Sequence, residues 1–175
     1  MADSASFAMS LFVSRWLRDH VKRVGVGTHM LTLQEISDRM EIQDLMVRYS
    51  HAVDTLDWDA LDSVFTADAQ IDYSAMGGSK GGLKETKEFL ASVMPGFGAY
   101  QHLISNSSIT VDGDTATGRT MCHNPMVFKG ENDETPGPVM FCGLWYVDTF
   151  ARVDGEWRIA TRSEEKSYMY MAPTA

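Results

Sequence analysis

The sequence predicts an α+β fold in which a cone-shaped, curved antiparallel sheet, a half-barrel, packs on three helices. Three observations carry that prediction. Apolar residues recur at helical spacing in the first half of the chain, two Asp-Gly turns flanked by strand-like runs mark the second half, and the two patterns do not alternate. Helices that precede a meander of long strands pack together on one sheet face. A long sheet under a helical lid leaves a cavity at its open end.

Residues 1–30 read apart from the rest. Leu11, Phe12, Trp16, Leu17 and Val21 sit at helical spacing among Arg15, Arg18, Lys22 and Arg23. This is either an amphipathic or targeting segment or a poorly ordered extension ahead of Met30. Its apolar stretch is too short for a secretory signal. The ordered domain is expected over residues 31–170, with 171–175 as a tail.

Thr32-Leu33-Gln34-Glu35 is a capping box, and Leu33, Ile36, Met40, Leu45, Tyr49 and Ala52 then keep a helical period to about Asp54. Asp57 caps a short second helix, Trp58 to Phe65. Ala69, Ile71 and Tyr73 alternate with polar residues as a half-buried strand. Gly77 to Gly82 form a loop, and Leu83, Leu90 and Val93 stripe a third helix that Pro95-Gly96 ends. Beyond it, Val111-Asp112-Gly113-Asp114 and Val153-Asp154-Gly155-Glu156 are hairpin turns. The strands they join are Gln101–Val111 to Thr115–Phe128 and Val139–Val153 to Trp157–Ser167, with Lys129–Pro138 as a polar loop between the pairs.

A chain of 175 residues with 44% apolar and 22% charged positions is a globular protein of one main domain, and no apolar run is long enough to span a bilayer. Residues 31–175 carry 11 basic against 22 acidic side chains, a field that repels phosphate backbones and excludes nucleic acid as a partner. Cys122 and Cys142 lack any zinc or redox spacing and read as small buried residues of a reducing compartment, the cytoplasm. The five histidines show no ligand spacing, so neither a metal nor another cofactor is expected. Gly77-Gly78-Ser79-Lys80-Gly81 matches the serine-hydrolase elbow, but the fold that uses it needs alternating strands and helices; a glycine-rich loop explains it better.

Two side chains could do chemistry. Asp54 stands at a helix C-terminus, an unfavourable place for an anion, and His102 lies in a run with few charges, Tyr100-Gln101-His102-Leu103-Ile104. Alone, each reads equally well as a turn residue and a core histidine. Together, a carboxylate beside a histidine makes an oriented base.

The order of motifs resembles the SnoaL-like branch of the nuclear transport factor 2-like superfamily. It runs from Glu41-Ile42-Gln43-Asp44-Leu45 through Tyr49, Asp54-x-x-Asp57-Trp58 and Phe65-Thr66-Ala67-Asp68-Ala69. It continues through His102-Leu103-Ile104-Ser105-Asn106 to Asp154-Gly155-x-Trp157-Arg158. The resemblance covers Leu33 to Tyr168 and implies a cofactor-free lyase of the kind represented by scytalone dehydratase and hexachlorocyclohexane dehydrochlorinase. Those enzymes use an Asp–His dyad, and the matching positions are Asp54 and His102. The resemblance further implies Tyr73 as a partner of the leaving hydroxyl, Tyr49 in the pocket wall and Arg162 near a leaving halide.

Val53, Met126, Leu144 and Tyr146 stand where scytalone dehydratase has different residues, and a more apolar pocket holding Val53, Met126, Leu144 and Trp145 implies a flatter, less hydroxylated ring substrate. His123 is set opposite Cys122 and Met126 by strand alternation. A homo-oligomer follows from the same resemblance, a trimer before a dimer. Two rival classes stay open. One is a non-catalytic binding protein or dioxygenase small subunit. The other is a ketosteroid-isomerase-like enzyme or polyketide cyclase; the isomerase chemistry would require a second acid, for which no residue is evident.

Overall fold

The computed structural model describes residues 30–130 and 136–172. The N-terminal extension apart from Met30, the centre of the 129–138 loop and the last three residues of the expected tail lie outside them.

The first helix, α1 (Leu33–Asp54), follows the predicted period and buries Ile42, Leu45, Met46, Tyr49, Ala52 and Val53. It stops where the amides of Leu56 and Asp57 turn back to the carbonyls of Val53 and Ala52, at 3.2 and 2.9 Å. Leu56 adopts the left-handed conformation this Schellman closure demands, φ 59°. Asp54 is thereby the last helical residue.

The expected second helix is a correction: only Asp59–Ser63 turns, and as a 3₁₀ segment. Asp57 accepts the Ala60 amide at 3.1 Å, but sheet bonding already begins at Val64, whose carbonyl takes the Ile159 amide. That competition leaves room for no further helical turn. The domain therefore carries two α-helices among the described residues, the other being α2 (Leu83–Val93), whose first turn is closed by Glu85 accepting the Gly82 amide.

Seven strands follow among the described residues: β1 (Phe65–Asp72), β2 (Lys80–Gly81), β3 (Phe97–Tyr100), β4 (Leu103–Asp112), β5 (Thr115–Phe128), β6 (Val139–Val153) and β7 (Glu156–Met171). Their order is β2-β1-β7-β6-β5-β3, with β4 also on β5. Both Asp-Gly turns are where expected, with positive φ at Gly113 in one and at Asp154 and Gly155 in the other. The sheet is curved and unclosed, but it is mixed rather than purely antiparallel, because β1 pairs parallel with β7. Parallel neighbours need a long connection, and nearly the whole domain lies between these two. α1 packs against β4 and β7, and α2 against β1. On β5, Ala116, Thr120, Cys122, Asn124 and Met126 point into the covered face. Among the described residues no helix is long and apolar enough to cross a membrane.

Candidate active site

The ladder on β5 is interrupted where the site needs it. Tyr100 pairs with Met126 and Leu103 with His123 in one register, so His102 lies opposite Asn124 in the gap between β3 and β4. Instead of joining a strand ladder, the His102 amide donates to Asp54 Oδ2 at 3.1 Å. Its ring Nδ1 meets Asp54 Oδ1 at 2.6 Å. On the other side of the ring, Asn124 Nδ2 donates to Nε2 at 2.9 Å. With Nε2 accepting, Nδ1 carries the proton that Asp54 receives. One carboxylate thus fixes both the backbone and the imidazole, which is only 7% exposed against 25% for Asp54. Asn124 Oδ1 is buried without a partner, so turning the carboxamide over offers an acceptor to a protonated Nε2.

His102 opens onto a cavity of about 210 Å³. Tyr49, Val53, Tyr73, Met126 and Leu144, all expected in the pocket, lie in its wall. The hydroxyls of Tyr49 and Tyr73 share a hydrogen bond of 2.8 Å. Burial holds Tyr73 and Tyr146 well above the ordinary range, so both remain neutral hydroxyls. Tyr73 is fixed by a tight loop in which the Gly78 amide returns to the Tyr73 carbonyl at 2.8 Å. A side chain at Gly78 would meet Tyr73 Cβ at 2.6 Å, so only glycine closes this loop.

Arg162 and Trp145 are placed differently from the expectation. Arg162 is absent from the cavity wall: it is fully buried, bonds Asp148 through Nε and Nη2 at 2.8 Å each, and stacks on Tyr49 and Tyr146 with ring-centroid distances of 4.1 Å. Burial opposes its charge, yet Asp148 keeps its pKa well above the usual value. Trp145 faces away beneath Arg119, because alternation along β6 turns it opposite Leu144 and Tyr146. His123 stays on the outer face and meets the Tyr168 hydroxyl at 2.7 Å.

Two polar wall residues escaped the sequence reading, Asn124 and Glu164. Asn124 was within reach of strand alternation, which puts it on the same face as Cys122 and Met126. Glu164 lies in Ser163-Glu164-Glu165-Lys166, which reads as solvated strand; its register opposite Tyr146 places it on the covered face. Burial pushes its carboxyl up to about 8, with Arg162 pulling it back and Asp72 adding to the rise. Cys122 is no nucleophile: burial pushes its thiol up to about 12. Among the described residues no three His, Cys, Asp or Glu side chains converge as a metal site would require.

Residues 34–163 match the SnoaL-like domain family. An uncharacterized protein of Mycobacterium tuberculosis H37Rv, Rv2910c, is 49% identical over 142 residues, covering 81% of this chain and 94% of that one. A candidate aromatic ring hydroxylase from Novosphingobium aromaticivorans superposes with a TM-score of 0.70 at 30% identity, over 78% of this chain and 94% of that chain. Hexachlorocyclohexane dehydrochlorinase LinA-type3 from Novosphingobium barchaimii superposes with a TM-score of 0.68 at 20% identity, over 80% and 93%, a likeness of fold. The chain belongs to the SnoaL-like family and has its cone-shaped, cystatin-like α+β fold.

Proposed function

We propose that the cavity takes a small hydrophobic cyclic molecule and removes a proton from one of its ring carbons, in a cofactor-independent, dehydratase-like lyase reaction. The observation that carries this reading is the 2.6 Å contact between Asp54 and His102, with the far edge of the imidazole on a mostly apolar cavity. His102 Nε2 is the general base. Asp54 holds the tautomer and balances the imidazolium that forms, and the Asn124 amide gives up the Nε2 lone pair to the substrate C–H whose proton Nε2 takes. The C–H electron pair becomes the new C=C bond as a hydroxide or halide departs from the neighbouring carbon. The proton on His102 then passes to the hydroxide, or to solvent. Tyr73 hydrogen-bonds the departing group or a developing enolate.

Val53, Met126 and Leu144 hold the ring by apolar contact and exclude water. Arg162 works through the rings of Tyr49 and Tyr146 that it holds in place. The fold it shares with a dehydrochlorinase of a cyclic substrate supports the reading. A homotrimer would cover the exposed Tyr168, Tyr170 and Met171 at the free end of β7; light scattering that finds only a monomer at micromolar concentration contradicts that part.

The test is a turnover screen of small cyclic β-hydroxy-ketones and of terpenoid and aromatic analogues. On any substrate found, His102→Ala should lose about 10²–10⁴-fold. Asp54→Asn should lose nearly as much, and the double variant little more, since the pair acts as one unit. Full turnover by His102→Ala ends the reading.

A further inference from the structure

We propose that Glu164 is a second working acid of this cavity: as a neutral carboxylic acid it donates a hydrogen bond to the carbonyl oxygen of a cyclic ketone and holds the enolate oxygen that forms on proton removal. The proposal deepens the dyad reading by naming a ketone as the substrate class, and it rests on that reading for the base.

β6 and β7 pair Tyr146 with Glu164 and Asp148 with Arg162, so these four side chains project from the sheet toward one face. Asp148 and Arg162 are bound to each other in a bidentate pair through Nε and Nη2, which leaves only Arg162 Nη1 without a partner. Glu164 lines the same cavity as His102, and its Oε2 is buried with no hydrogen-bond partner among the described residues. A buried carboxylate without partners is strongly disfavoured, whereas the neutral acid is tolerated and gains a donor.

The surrounding charges agree. Arg162 on the same strand favours ionisation without hydrogen-bonding the carboxyl; Asp72 from β1 opposes it, and burial dominates, bringing the group to about 8. The other titratable groups around it are the imidazole of His102, the thiols of Cys122 and Cys142 and the hydroxyls of Tyr49, Tyr73 and Tyr146; the thiols and hydroxyls are all shifted upward and neutral. Of Tyr49 and Tyr73, which bond each other, one hydroxyl keeps its proton to donate, so protonated Glu164 joins it as a donor on the wall and the ligand must bring the acceptor.

The step balances without a co-reactant. The C–H bond next to the carbonyl breaks, its proton goes to His102 Nε2, and its electron pair forms the C=C of the enolate. The carbonyl π pair moves onto oxygen, which Glu164 hydrogen-bonds. A fixed donor at a nascent oxyanion is worth about 10²–10³-fold in rate.

The test uses 4-nitrophenol as a ring oxyanion whose phenolate absorbs visible light, titrated into the full-length protein and into Glu164→Gln and Glu164→Leu. Wild type should bind the phenolate, with affinity falling about tenfold or more between about pH 7 and about pH 10 as Glu164 ionises. Glu164→Gln, which still donates, should bind and lose that fall. Glu164→Leu should bind about tenfold more weakly at neutral pH while keeping its melting temperature. Wild-type affinity in Glu164→Leu, an unchanged pH dependence in Glu164→Gln, or no uptake of 4-nitrophenol by wild type at millimolar concentration overturns the proposal. Turnover by His102→Ala reads the dyad alone, so either claim can fail without the other.

Discussion

Asp54 and Asp148 each hold a nitrogen group by short contacts, and they are used in opposite ways. Asp54 holds His102 at the edge of the cavity, where the imidazole can change its charge and one ring nitrogen faces the space a ligand would fill. Asp148 holds Arg162 beneath the cavity, where both are fully buried and the guanidinium keeps its charge under all conditions. The first pair joins a helix end to a break in a strand. The second joins two neighbouring strands inside the sheet. A mobile proton belongs where the ladder is interrupted; a permanent charge is locked where the ladder is intact.

The sharpest way to break this contrast is through stability. Asp148→Ala leaves Arg162 as a buried, uncompensated charge and should cost about 3–5 kcal/mol, while replacing both partners by apolar residues should recover most of the loss. Asp54→Ala, at a partly exposed pair, should cost no more than about 1 kcal/mol. Thermal unfolding compares the two, and equal losses would remove the distinction drawn above.

Glu164 sits between the two cases, a half-buried side chain whose buried Oε2 has neither a mobile nor a permanent partner among the described residues. Folded, it keeps its proton up to about pH 8, whereas the ordinary value is 4.5. The folded state therefore binds more protons between these values. Its contribution to stability is present below about 4.5 and is lost as pH rises to about 8. Glu164→Gln should melt near wild type at pH 5 and several degrees above it at pH 9; a constant difference across that range would contradict the assignment.

The smallest effect lies at the helix end that presents Asp54. Leu56 occupies a left-handed conformation that a side chain disfavours, so Leu56→Gly should stabilise by up to about 1 kcal/mol without moving Asp54. A fall in melting temperature would mean that the half-exposed Leu56 side chain outweighs the strain.

The elements legible in the sequence are those governed by neighbours along the chain: α1 by its capping box and period, the two hairpins by Asp-Gly. What escaped depends on distant partners. The parallel pairing of β1 with β7, and the short β3 that continues the line of β4 past a two-residue gap, leave no local trace. The turn at Asp59–Ser63 was drawn as a longer helix because nothing nearby announces that Val64 and Phe65 pair with β7.

The site divides along the same line. Asp54 and His102 were found through motif order, and each alone has a bland reading. Asn124 was readable from alternation on β5. Glu164 was hidden in a charged run whose burial depends on the curvature of β7 over the cavity, and Arg162 looked like a ligand contact because its partner, Asp148, lies on another strand.

The central claim, that His102 oriented by Asp54 takes a proton from carbon, is tested most directly by hydrogen–deuterium exchange at carbon. A one- or two-ring ketone in deuterated buffer, followed by proton NMR, reports loss of its α-protons whether or not anything is eliminated. The account predicts that wild-type protein accelerates the exchange and that His102→Ala loses at least about a hundredfold of that acceleration, with Asp54→Asn close behind. Exchange in the presence of His102→Ala as fast as with wild type would contradict it.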